Sequence, residues 1–176
     1  MKNVKIIFLL KLLLIYFNSC IFFNNENSFL KILDEKKINY AKSNPTVVVA
    51  LDTECPLSIN YVEKINELAR TYSEKMNFFI FFPGPYYSIE EIELFIKENK
   101  IQIDFIIDID FRITNSLKAT IVPESFIIDK NSKILYQGLI DNWASELGRT
   151  RQYISKNYLE DGINSVLNSK KIIIKK

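Results

Sequence analysis

The sequence predicts an α/β fold: a mixed central sheet flanked by helices on both faces. Three observations carry this. Short apolar runs alternate with stretches of helical periodicity from Thr46 to about Ile109, an order that implies parallel strands joined by crossovers. Two later apolar runs, 124–129 and 133–137, are separated by little more than the polar run Asp129-Lys130-Asn131-Ser132, which reads as a hairpin. The first run, 46–51, is Thr-Val-Val-Val-Ala-Leu, continuous and β-branched, as expected of a central strand buried on both sides.

Each element follows in order. Ser28 stands where it could cap a helix over Phe29–Lys42, with Phe29, Leu30, Ile32, Leu33 and Ile38 apolar and Asn44-Pro45 as the stop. After the 46–51 strand come Cys55 and Pro56. Then Ile59, Val62, Ile65, Leu68, Ala69 and Tyr72 recur at helical spacing, with Pro56 in the first turn, where proline is tolerated. A second strand spans 76–82 and is broken by Pro83-Gly84-Pro85. Ser88 opens the next helix, and Glu90 and Glu91 suit its dipole. A third strand is expected at 105–109, a short helix at 112–118, the hairpin strands next, and a last helix at 156–168. The stretch 139–155 reads as a long loop carrying Arg149 and Arg151. Tyr61, Trp143, Tyr153 and the Tyr86-Tyr87 pair read as packing residues.

A chain of 176 residues is one domain's worth. Its formal charge of +2 includes Lys2, Lys5 and Lys11; removing these three from the 23 basic residues leaves 20 against 21 acids, a net −1. That balance gives no basis for a nucleic-acid surface. The chain has no histidine, which excludes Ser-His-Asp and Cys-His machinery and any His-ligated metal or haem. Its two cysteines, Cys20 and Cys55, cannot make a disulfide scaffold. No cofactor and no metal are expected.

Residues 1–19 read as a signal peptide: a basic start, an apolar run from Ile6 to Phe17, and Ser19 at its end. The run is too short for a span of roughly 20 residues. Cys20 directly after Ser19 resembles a bacterial lipoprotein signal, in which the cysteine is lipidated. Plain secretion, or an uncleaved anchor, is the alternative. Each places the domain on the extracytoplasmic side of the membrane, in the cell envelope, where thiol–disulfide chemistry operates. Residues 20–45 then form a tether and a pre-domain helix, 46–170 the domain, and 171–176 a solvated basic tail.

Cys55 lies between a buried strand and a helix start. There the helix N–H groups face the sulfur and favour the nucleophilic thiolate. Asp52 and Glu54 oppose this if either points at the sulfur. Ser58, three residues on, stands where a Cys-x-x-Cys pair holds its resolving thiol. A hydroxyl can donate a hydrogen bond but cannot close a disulfide, so Cys55 is a monothiol.

The strand, Cys55-Pro56-Leu57-Ser58, the helix, and Val122-Pro123 ahead of a later strand together resemble the thioredoxin superfamily. Within it the chain is most similar to bacterial redoxin-domain proteins related to alkyl hydroperoxide reductase and thiol-specific antioxidant enzymes. Three runs carry the likeness: Cys-Pro-Leu-Ser-Ile-Asn-Tyr at 55–61, Val-Pro-Glu-Ser-Phe-Ile-Ile-Asp at 122–129, and Tyr-Gln-Gly-Leu-Ile-Asp-Asn at 136–142 followed by Leu-Gly-Arg-Thr-Arg at 147–151. The resemblance implies a thioredoxin-like sheet, a cis Pro123 lying against the active cysteine, and antioxidant or thiol oxidoreductase activity. It departs from the peroxidase pattern in one respect: Asp52, not threonine, stands three residues before the cysteine, and Thr53 stands two before. A peroxidase also needs an arginine to polarise peroxide, for which Arg112, Arg149 and Arg151 are the candidates. Metallochaperone relatives use two cysteines and a histidine, which this domain lacks.

The expected site is therefore Cys55 as nucleophile, Pro123 shaping the substrate groove, and Ser58 and Thr53 donating to the thiolate, with an external thiol or disulfide protein as partner. The competing reading is a non-catalytic module that binds extended polypeptides beside Pro123.

Overall fold

A computed structural model describes residues 28–146 and 149–170. The expected leader, the expected lipidation site Cys20, the first part of the expected tether and the tail 171–176 lie outside the described residues. Among those described, no helix is long and apolar enough to cross a membrane.

The elements are α1 (Phe29–Glu35), β1 (Thr46–Ala50), α2 (Pro56–Tyr72), β2 (Asn77–Pro83), α3 (Ile89–Glu98), β3 (Asp104–Asp108), α4 (Arg112–Leu117), β4 (Glu124–Ile128), β5 (Ile134–Gly138), β6 (Ala144–Glu146), β7 (Arg149–Thr150) and α5 (Tyr158–Leu167). The main sheet has the order β3-β2-β1-β4-β5. β1 pairs parallel with β2, and β2 with β3; β4 runs antiparallel to β1, and β5 to β4. β1 is thus the middle strand, and all five of its residues are buried.

Alternation along β1 divides the core in two. Val47 and Val49 face a cluster with Val62, Ile65 and Leu68 of α2, Ile92 and Phe95 of α3, and Leu159 and Ile163 of α5. Val48 and Ala50 face the other side, with Phe79, Phe81 and Phe126 of the sheet, Ile113 and Leu117 of α4, and Phe29, Leu30, Ile32 and Leu33 of α1. The expected helices on both faces are present. The helix read as a pre-domain element fills the second face: Ile32 and Leu33 are 0% exposed.

Two expectations need correction. The first helix ends at Glu35, not Lys42. Lys37 adopts a left-handed conformation (φ 56°), and the Ile38 and Lys37 N–H groups donate to the carbonyls of Leu33 and Asp34 at 3.0 and 3.1 Å. This is a Schellman closure without its usual glycine, so no stop residue announces it. Ser28 holds the N-cap position, but its side chain makes no capping bond. Second, the stretch 139–155 is not a plain loop. It holds the β6–β7 ribbon, and Asn142 closes its neck by accepting the Ser155 and Lys156 N–H groups at 3.0 Å each.

Candidate functional site

The site forms where β1 ends and α2 begins. Cys55 is the N-cap residue of α2, Pro56 follows in the first turn, and the cysteine side chain makes no capping bond. The sulfur therefore sits at the positive end of a 17-residue helix. It is half-buried, and it is a free thiol. Its S–H donates to the Val122 carbonyl at 3.8 Å, a contact between positions 67 residues apart. The Val122–Pro123 peptide bond is cis, as the resemblance implied, and Pro123 is buried. Register explains the meeting. β4 pairs with β1 so that Glu124 faces Ala50, which puts the segment entering β4 beside the segment leaving β1.

Ser58 is 0% exposed, and its hydroxyl faces a different way from the one expected. Its Oγ accepts the Asp52 N–H at 3.1 Å. It ties the start of α2 back to the end of β1, and no hydrogen bond joins it to Cys55. Thr53 is also directed elsewhere: its hydroxyl interacts with the Tyr87 phenol. Of the expected residues, then, the fold brings Cys55 to the segment Val122-Pro123 and turns Ser58 and Thr53 toward the supporting structure.

Asp52, expected as a charge opposing the thiolate and as the departure from the peroxidase pattern, is a structural hub. Its Oδ1 accepts the Glu54 N–H at 2.8 Å and the Tyr87 O–H at 3.0 Å. Its carbonyl accepts the Cys55 N–H at 3.4 Å. Burial pushes the Tyr87 phenol up, and the Thr53 hydroxyl partly opposes that rise. No local signal reveals the Tyr87–Asp52 bond, because the two positions lie 35 residues apart.

The candidate arginines differ in what engages them. The Arg112 guanidinium pairs with the Glu35 carboxylate at 2.6 Å and is held above its ordinary range by it, joining α4 to α1. The Arg151 backbone N–H donates to the Trp143 carbonyl at 2.7 Å, and its residue is exposed. Farther along α2, Tyr61 donates to Asp141 at 2.6 Å, and Asp141 also accepts the Trp143 N–H at 2.8 Å. The Tyr61 and Trp143 rings meet edge to face at 5.8 Å. These contacts fasten the base of the 139–155 segment onto α2. Close in sequence to the residues in contact at the thiol, two apolar side chains are open to solvent: Ile59 one turn along α2 and Ile121 beside Val122.

No family model and no curated protein matches the chain. Solved structures do. It is similar to an uncharacterised conserved protein from Geobacillus kaustophilus, at 17% identity and a TM-score of 0.65, covering 76% of this chain and 72% of that one. It is similar to a candidate thioredoxin from Neisseria meningitidis, at 16% identity and a TM-score of 0.56 over 72% and 76% of the two chains. It is also similar to a candidate thiol:disulfide interchange protein DsbE from Chlorobium tepidum, at 16% identity and a TM-score of 0.57 over 72% and 82%. Identities this low speak to architecture: the fold is thioredoxin-like.

Proposed function

We propose that this protein is an extracytoplasmic monothiol oxidoreductase that exchanges disulfides through Cys55. One observation carries the reading: the free thiol sits half-exposed at the N-terminus of α2, against the Val122 carbonyl. The names borne by the Neisseria and Chlorobium neighbours agree with thiol–disulfide chemistry.

The Cys55 thiolate attacks one sulfur of a substrate disulfide. A Cys55–substrate disulfide forms, and the second substrate sulfur leaves as a thiolate. Ser58 cannot resolve this adduct. An external thiol must attack it, which returns the Cys55 thiolate and carries the substrate sulfur away in a new disulfide. Pro123 forms the wall beside which the substrate chain lies. The partner is thus a thiol or disulfide protein of the envelope, with Cys20 as the lipid attachment that holds the domain there.

Disulfide exchange is favoured over peroxide reduction by two features. Arg112 is engaged by Glu35, and the exposed Ile59 and Ile121 offer contact to a polypeptide that a peroxide would not use. The test supplies the full chain with an oxidised peptide or with hydrogen peroxide. Thiol release from the peptide and its loss in Cys55→Ser are expected. Peroxide consumption dependent on Cys55, without peptide exchange, would select the peroxidase. Inertness to both leaves the non-catalytic binding module. Membrane fractionation of Cys20→Ala checks the anchor, with release into the soluble fraction expected.

A further inference from the structure

We propose that Asp52 and Tyr87 are positioning residues for Cys55, together holding the backbone turn that presents the thiol. The proposal rests on Cys55 being the nucleophile, and it names what aims it.

Asp52 is bound through its backbone and its side chain alike. Its N–H donates to Ser58 Oγ at 3.1 Å, and its carbonyl accepts the Cys55 N–H at 3.4 Å. Its carboxylate accepts the Glu54 N–H at 2.8 Å and the Tyr87 O–H at 3.0 Å. The first three bonds are local and close the 52–55 turn onto itself and onto the start of α2. The fourth comes from the connection between β2 and α3. That connection is itself anchored. The Gly84 N–H donates to the Asp108 carbonyl at 3.0 Å, and Ser88 and Glu91 form a reciprocal cap at the start of α3. Tyr87 therefore ties the cysteine turn to a connection whose own anchors lie outside α2.

Attack on a disulfide needs the thiolate nearly in line with the breaking S–S bond, so a small misdirection of the sulfur is costly. Alkylation by a small reagent makes a weaker demand on aim. The turn uses an oxygen acceptor at position 52, and an asparagine presents the same Oδ1 without the charge.

The experiment measures two rates at Cys55 in the full chain, located by peptide mass: exchange with oxidised glutathione, and alkylation by iodoacetamide. Tyr87→Phe and Asp52→Ala are expected to slow exchange about tenfold while alkylation stays within about threefold. Asp52→Asn is expected to restore exchange to within about threefold of the native rate. Should Asp52→Ala fail to fold, Tyr87→Phe, which removes one hydroxyl, carries the test alone. Native exchange in Tyr87→Phe overturns the proposal. So does an Asp52→Asn variant as slow as Asp52→Ala, or an equal loss of both rates, which would mean altered access and not aim. If the native protein itself exchanges no disulfide at Cys55, the nucleophile reading falls and this one with it; a native protein that exchanges normally, beside variants that match it, overturns only this one.

Discussion

Ser58 illustrates how a residue's place can be legible while its bond is not. Spacing puts it one helical turn after Cys55, where its hydroxyl can turn toward the sulfur or back to the strand. The fold selects the second, and the hydroxyl satisfies the Asp52 N–H in a fully buried position. Ser58→Ala strands that donor and is expected to cost about 1–3 kcal/mol, read as a lower urea midpoint at unchanged slope. Ser58→Cys places a second thiol at the Cys-x-x-Cys spacing. It is expected to release a bound substrate thiol without an added reductant, seen by mass as loss of the adduct. The place of Cys55 at the strand–helix junction is legible from the local pattern, and the cis Pro123 follows from the resemblance. The Tyr87 contact was not, since only the β2 and β1 pairing brings it near Asp52.

Among the elements, those with strong local signals begin close to where they are expected. α3 is the clearest: Ser88 accepts the Glu91 N–H at 3.2 Å, and Glu91 accepts the Ser88 N–H at 2.7 Å. This reciprocal bonding holds the Glu91 carboxyl below its ordinary range. Ser88→Ala is expected to lower stability by about 1 kcal/mol in denaturant unfolding. Elements with weak signals were misjudged. α1 stops early through backbone geometry at Lys37, a residue type that does not advertise a left-handed turn. Its contribution to the core was also hidden, because the face it covers is built from strands later in the chain. Ile32→Ala is expected to cost about 2–5 kcal/mol, as for any large buried aliphatic, whereas a dispensable appendage would show almost no change in midpoint.

For the whole molecule, the sheet was legible because its strands are continuous apolar runs with unmistakable breaks. The ribbon within 139–155 was not, because its strands are short and one pair of its residues, Ala144 and Thr150, carries no apolar alternation. Across the whole fold, two buried tyrosines make stability sensitive to alkaline pH. Burial, reinforced by Asp141, pushes Tyr61 well above its ordinary 10.0, and burial does the same for Tyr136. Both stay protonated in the fold at a pH where the unfolded chain has lost the proton. Their contribution to stability is thus fully present below about pH 10 and declines above it, and Tyr61→Phe is expected to make that decline shallower. The central claim is that the fold presents Cys55, the one cysteine among the described residues, as a reactive thiol. It is tested most directly by exposing the native full chain to an oxidised peptide and mapping the adduct by mass. The account predicts one peptide-thiol adduct at Cys55 that persists until an external thiol is added; labelling of Cys55 only after the protein is unfolded would contradict it.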